Sequence, residues 1–140
     1  PIYEGTNGIQ SMDLVARKMM DGGAAAFALM DDMEALASAS NSDLAKAVLA
    51  AIAQLRATTQ WVVSQELNER FAGSVAYQKA FARVLGGYFH LVASMSGQAK
   101  RQRLARVYIN SLLPEAASLC AQAQAGAADL YALELDDFAA

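Results

Sequence analysis

The sequence is poor in the residues that most often carry metal or nucleophilic chemistry. Cys120 is the single cysteine and His90 the single histidine in 140 residues. One cysteine excludes an internal disulfide and a cysteine-rich metal site. A lone thiol fits a reducing compartment. A lone imidazole weakens any histidine-based metal site or catalytic triad. Prolines number two, Pro1 and Pro114, so helices can run long. No uncharged apolar run is long enough to span a bilayer, and no signal-peptide pattern is present. The net charge of -3 gives no general attraction to nucleic acid or to anionic lipid. The first residue is Pro1 rather than methionine, which leads us to expect a fragment or a processed chain.

What the chain has in abundance is alanine and helical spacing. Hydrophobic residues make up 55% of it, enough for a folded core and too many for disorder. A chain this size buries roughly 70% of the surface its unfolded form exposes. Residues 1–7 read as extended chain and turn, with Asn7 and Gln10 forming a capping-box-like pair. A first helix then runs to about Met20, with Ile9, Met12 or Asp13, Val15 and Met19 on one face. Asp21-Gly22-Gly23 is a break, and Asp21 is placed to cap the next helix. That helix carries Phe27, Met30, Met33 or Glu34, and Leu36.

Residues 38–43 form a polar loop in which Ser42 is a natural cap. From Asp43, the positions Leu44, Val48, Ala51, Ile52, Leu55, Thr59 and Val62 fall at helical spacing. The stripe weakens through Leu67 and Phe71 to a turn expected at Gly73-Ser74. The next helix places Tyr77, Phe81, Val84, Leu85, Tyr88, Val92 and Met95 on one face. Gly86-Gly87 in its middle costs about 1 kcal/mol per glycine against alanine, and a closely approaching neighbour would explain them. Gly97 ends that helix.

A last long helix from about Gln98 carries Leu104, Tyr108, Leu112, Ala116, Leu119 and Cys120. A kink is expected at Pro114, with Leu113 near the bend. After Gly126 the acidic, partly apolar tail is expected to dock through Leu130, Leu133 and Phe138. No strand pattern competes. The expected fold is all-α, an antiparallel four-helix bundle preceded by a short loop and an N-terminal helix.

The bundle carries little chemistry. His90 reads as a structural, half-exposed residue and Cys120 as a small buried apolar one. Lys100, Arg101, Arg103 and Arg106 crowd a helix N-terminus, where cations oppose the dipole at a cost of up to ~1 kcal/mol. A solvated or subunit-facing surface is the ordinary reading, and a phosphate site the less ordinary one.

The N-terminal stretch is different. Taken alone, "IYEGTNGIQ" is a turn with a surface acid and a helix cap. Yet Tyr3-Glu4-Gly5-Thr6 followed by Asn7-Gly8-Ile9-Gln10 resembles the catalytic loop of the acyl-CoA dehydrogenase family, and the likeness continues through "DLVARK" at 13–18. Downstream, "VLGGY", "LLPEAASL" and "AGAADLYALELDDF" resemble the extra C-terminal helical domain of larger bacterial members, a subgroup similar to methylmercaptopropionyl-CoA dehydrogenase-like enzymes.

The resemblance implies residues 1–20 as catalytic loop and following helix, and 21–140 as a C-terminal helical-bundle domain. It implies a parent enzyme of fatty acid metabolism that oxidises an acyl-CoA thioester with FAD, a flavin taking hydride from the β-carbon. Glu4 would be the base that removes the α-proton, Gly5 would lie against the substrate, and Thr6, Asn7 and Gly8 would lie at the flavin. The family usually has a bulkier polar residue where this chain has Gly8, which leaves a backbone contact there.

A thioester α-proton is weakly acidic, so the base needs a raised pKa, which burial against acyl chain and flavin supplies. The helix dipole pulls the other way, so desolvation by bound substrate must win. The implied partners are acyl-CoA, the rest of the parent chain and further copies of it, with no nucleic acid and no membrane; the implied location is cytoplasmic. These residues alone cannot build the family's flavin pocket. The isolated chain is therefore expected to be inactive, to bind no FAD tightly, and to hold residues 1–7 poorly ordered or displaced. The competing expectation is a non-catalytic helical module for packing or oligomerisation.

Overall fold

The structure is a computed structural model and describes residues 4–138. Those residues are helical throughout, with short turns between elements and no strand. Seven α-helices follow one another: α1 (Glu4–Val15), α2 (Ala24–Ala37), α3 (Asp43–Ser64), α4 (Leu67–Ser94), α5 (Ala99–Val107), α6 (Glu115–Ala123) and α7 (Ala128–Tyr131). A 3₁₀ turn, Arg17–Met19, trails α1, and another, Leu135–Phe138, closes the tail. The all-α bundle expected from the spacing is the observed fold.

The longest helix, α4, stands at the centre, and three neighbours pack on it. α1 meets it where Ser11 Oγ donates to Gln78 Oε1. α3 meets it where the hydroxyls of Thr59 and Tyr77 pair at 2.8 Å. The α5–α6 rod runs antiparallel to it, with Leu113 opposite Gly87 and Ala123 opposite Gly73. α2 lies outside, on α3, held where Arg56 reaches Asp31 at 2.6 Å and Glu34 at 3.0 Å. Val15, Met19, Met30, Ile52, Leu55, Tyr77, Val84 and Leu91 share one core.

Local signals set most of the helix ends. Ser42 Oγ accepts the Ala45 amide at 3.2 Å, as expected of an N-cap. Asp21 accepts the amides of Gly23 and Ala25, across a turn in which Gly23 takes φ 81°. Gly23 can do so because it has no Cβ.

Five expectations need correction. α1 begins at Glu4, so residues 4–7 are its first turn rather than a disordered loop, and Asn7 is not a cap; its carbonyl accepts Ser11 Oγ inside the helix. Residues 1–3 of that expected loop lie outside the described residues. The α1 face is also rotated. Val15 and Met19 are buried as expected, but Ser11 takes the buried place of Ile9, which is 66% exposed; the single Ser11 hydroxyl proton has Asn7 O and Gln78 Oε1 as alternative acceptors.

The turn after α3 falls at Gln65 and Glu66, not at Gly73-Ser74, which are buried inside α4. Gly73 is a contact residue: a Cβ on it would overlap the Ala123 carbonyl oxygen.

The last long helix is divided. Pro114 has no amide to donate, and its ring crowds the preceding turn. The chain widens into a π-helical turn over Tyr108–Leu112, with Leu113 N donating to Tyr108 O at 3.0 Å, and α6 starts after the proline. The buried face is Ala105, Ile109 and Leu113, one position on from Leu104, Tyr108 and Leu112. Finally, the tail is anchored only at its root, where Ala127 is buried and Leu130 and Tyr131 border a groove with Met12 and Phe71. Leu130, Leu133 and Phe138 are exposed, Phe138 by 72%.

Candidate functional site

The residues singled out by sequence lie on the first two turns of α1. Glu4 is the first residue of the helix. Gly5, Thr6 and Asn7 follow on its exposed side, and Gly8 is half-buried. Being consecutive on one helix start, the five positions are brought together by chain geometry alone. The amides of Gly5 and Thr6 precede the first i−4 carbonyl of α1 and so have no partner in the helix. A group set at that terminus meets free N–H donors and the positive end of the dipole, a setting suited to anionic or electron-rich groups. The same field stabilises a carboxylate at the helix start.

The glycines separate into two kinds. A Cβ on Gly86 would overlap the Tyr108 hydroxyl, and one on Gly87 would lie 3.0 Å from Leu113 Cδ1. Packing inside this chain accounts for both, as the sequence suggested. A Cβ on Gly5 or Gly8 would meet nothing within 4 Å. Each of these costs the helix up to about 1 kcal/mol against alanine, and no contact among the described residues explains it. The space beside both glycines, at the start of α1, is open.

α1 is held by residues that sequence reasoning missed. Arg70, on α4, donates to Val63 O at 2.8 Å, Gln65 O at 2.7 Å and Val15 O at 3.3 Å. One guanidinium thus closes the carbonyl ends of both α1 and α3, where its charge also complements the helix dipoles. The neighbouring Glu69 accepts the Ala127 amide at 2.7 Å, next to Gly126 at φ 78°. A bare Glu-Arg pair in a helix gives no sequence signal for either role, since the acceptors lie on other elements.

The remaining chemistry-bearing side chains are structural. His90 stacks on Tyr108 with ring centroids 4.6 Å apart. Cys120 is buried, and burial pushes its thiol pKa up. Burial likewise pushes the Tyr77 phenol up, only partly offset by its bond to Thr59. Among the described residues, no group of three or more His, Cys, Asp and Glu side chains converges as a metal site would require. No helix formed by them is long and apolar enough to cross a membrane.

Residues 24–134 match the model of the family described as acetyl-CoA dehydrogenase C-terminal like. The chain belongs to that family. The match spans α2 to Glu134 in the tail and begins twenty residues beyond Glu4. It therefore bears on the bundle, while the first turn of α1 rests on its own residues. No curated protein and no solved structure matches the chain. Membership in the acetyl-CoA dehydrogenase C-terminal-like family agrees with the resemblance seen in "VLGGY" and "LLPEAASL", which lie on α4 and at the π turn and α6.

Proposed function

We propose that the chain is the C-terminal part of an FAD-dependent acyl-CoA dehydrogenase that introduces an α,β double bond into an acyl-CoA thioester. In this reading Glu4 is the base that removes the α-proton. The observation that carries it is the pair Gly5 and Gly8, helix glycines that cost stability and face open space beside a helix start. Family membership of residues 24–134 supports the parent enzyme class.

Each residue has a part in that reading. Gly5 lets the thioester approach the main chain beside the base. Thr6, Asn7 and Gly8 would line the flavin, the amide of Thr6 offering a donor that the helix itself does not use and Gly8 contributing backbone only. FAD, when bound in the parent, supplies the two-electron oxidation at the β-carbon. Bound acyl chain excludes water from Glu4 and favours its neutral form, which makes the carboxylate the stronger base needed for a weak carbon acid. The helix start opposes this shift, so the base is activated only once substrate has displaced water.

Residues 1–20 are the catalytic contribution, and residues 21–140 pack against the rest of the parent chain and further copies of it. The division is one of role, since Val15 and Met19 share the core of the bundle. The isolated chain is inactive on this reading and binds no FAD tightly. A flavin spectrum with dye-linked oxidation of acyl-CoA by the 140-residue chain would overturn that part. In the intact dehydrogenase, Glu4→Gln should abolish exchange of the substrate α-proton while flavin still binds; undiminished turnover would remove Glu4 from the mechanism.

A further inference from the structure

Two exposed surfaces of this chain are complementary and lie toward opposite ends of one copy. The first is α5. Lys100, Arg101, Arg103 and Arg106 lie on it with no acid in its first turn, and none makes an ion pair among the described residues. Leu104 and Val107 stand exposed between them. The second is the tail. Asp129, Glu134, Asp136 and Asp137 carry its charge with no basic residue, and Leu130, Tyr131, Leu133, Leu135 and Phe138 are all exposed. Leu135 is 90% exposed. Four cations around two exposed apolar side chains thus stand opposite in charge to four acids on an apolar strip, with no ion pair to either set among the described residues.

The fold keeps them apart. The Glu69–Ala127 bond fixes the tail root beside the start of α4, and α5 packs beside the end of α4. About twenty residues of helix separate the two levels, roughly 30 Å. The tail's two short helical turns and the link between them span roughly 24 Å. A second copy turned end over end removes the mismatch, since its tail arrives beside this copy's α5.

We infer that two copies of this chain pair about a two-fold axis near the middle of the α5–α6 rod, each laying its acidic, apolar tail along the basic, apolar face of α5 of the other. The arrangement is closed: the same contact is made twice and no further copy is recruited. It buries side chains that a lone copy leaves in water, and it brings carboxylates to a helix N-terminus crowded with cations. The inference rests on the packing role proposed for the bundle and is independent of Glu4. A parent enzyme could need the bundle for assembly and still lack this contact, so the two can fail separately.

Sedimentation across a concentration series tests it. The chain should reach a dimer whose association weakens with salt. Arg101→Glu with Arg103→Glu, or Glu134→Lys with Asp136→Lys, should weaken association at least ~10-fold. An equimolar mixture of the two variants should restore the dimer, because each then offers what the other needs. Acids near the start of α5 in place of cations favour the helix, so dissociation of that variant is not unfolding. As a second measurement, Val107→Cys and Leu135→Cys chains should form a disulfide with each other when mixed and oxidised. A monomer at every concentration overturns the inference. So does a dimer indifferent to both reversals, or a monomer that co-sediments with anionic vesicles through α5.

Discussion

Gly73 leaves α4 bare where the main chain of Ala123 crosses it. A Cβ there would overlap the Ala123 carbonyl oxygen and lie 2.8 Å from its carbonyl carbon. The obstacle is backbone near the end of α6, so no side-chain rotation relieves it. Gly73→Ala should destabilise the chain by about 2 kcal/mol, the usual range for overpacking, despite the gain in helix propensity. Gly8→Ala should do the reverse, raising stability by up to about 1 kcal/mol. Denaturant midpoints of the two variants give opposite signs if the glycines differ in kind as described.

Arg70 ties α1 and α3 to α4 through three main-chain oxygens. Arg70→Met keeps much of the stem but strands those acceptors, and should cost about 3 kcal/mol. Arg70→Lys should recover only part, because an ammonium cannot span three carbonyls as the planar fork does. Thermal unfolding of the two variants ranks them.

Thr59 and Tyr77 form an asymmetric pair. Thr59 Oγ1 is bonded both to Leu55 O and to the phenol. Tyr77→Phe leaves Thr59 satisfied and should cost about 1 kcal/mol, whereas Thr59→Val leaves a buried phenol without its partner and should cost about 2 kcal/mol. A double-mutant cycle should show coupling between them, with the double variant less unstable than the sum.

Alkali should lower the stability of the chain in two stages. Burial raises the pKa of both Cys120 and Tyr77, so each holds its proton in the folded state at a pH where the unfolded chain gives it up. The stability that depends on those protons is complete below the unfolded pKa values and falls as pH rises past them. Loss should begin above about pH 8.5 from the thiol and steepen above about pH 10 from the phenol. Cys120→Ala should remove the first stage only, as urea midpoints against pH would show.

Where a feature depends on neighbours in sequence, it was legible. The Ser42 and Asp21 caps are side chains meeting amides two to four residues away, and both follow from residue type and place. Gly86-Gly87 also signalled a close helix contact correctly. Gly73-Ser74 did not, because a glycine that admits a neighbour and a glycine that turns a chain look the same without the neighbour.

Counting large side chains failed at the seams. α3 buries Ala45 more fully than Leu44, and α5 buries Ala105 rather than Leu104. Helices that approach closely put the small residue between them and push the large one to the flank. The π turn ahead of Pro114 was half legible: proline announced the break, but not how the ladder would absorb it. Of the candidate site, residue types and order were readable through resemblance. The start of α1 at Glu4 was not, since the expected cap at Asn7 competed with it.

The grip of Arg70 on Val15 turns α1 into a lever. The helix has 12 residues, about 18 Å at 1.5 Å each, with one end under Arg70 and Glu4 at the other. Ser11, pinned to Gln78 on α4, is its fulcrum. A tilt of about 5° about Ser11, roughly 10 Å from Glu4, would swing that end by about 0.9 Å. Misplacement of about 1 Å is enough to cost an enzyme two orders of magnitude in rate. Residue 70 is therefore a place where a change that leaves a parent enzyme folded and loaded could still spoil the aim of the base proposed at Glu4.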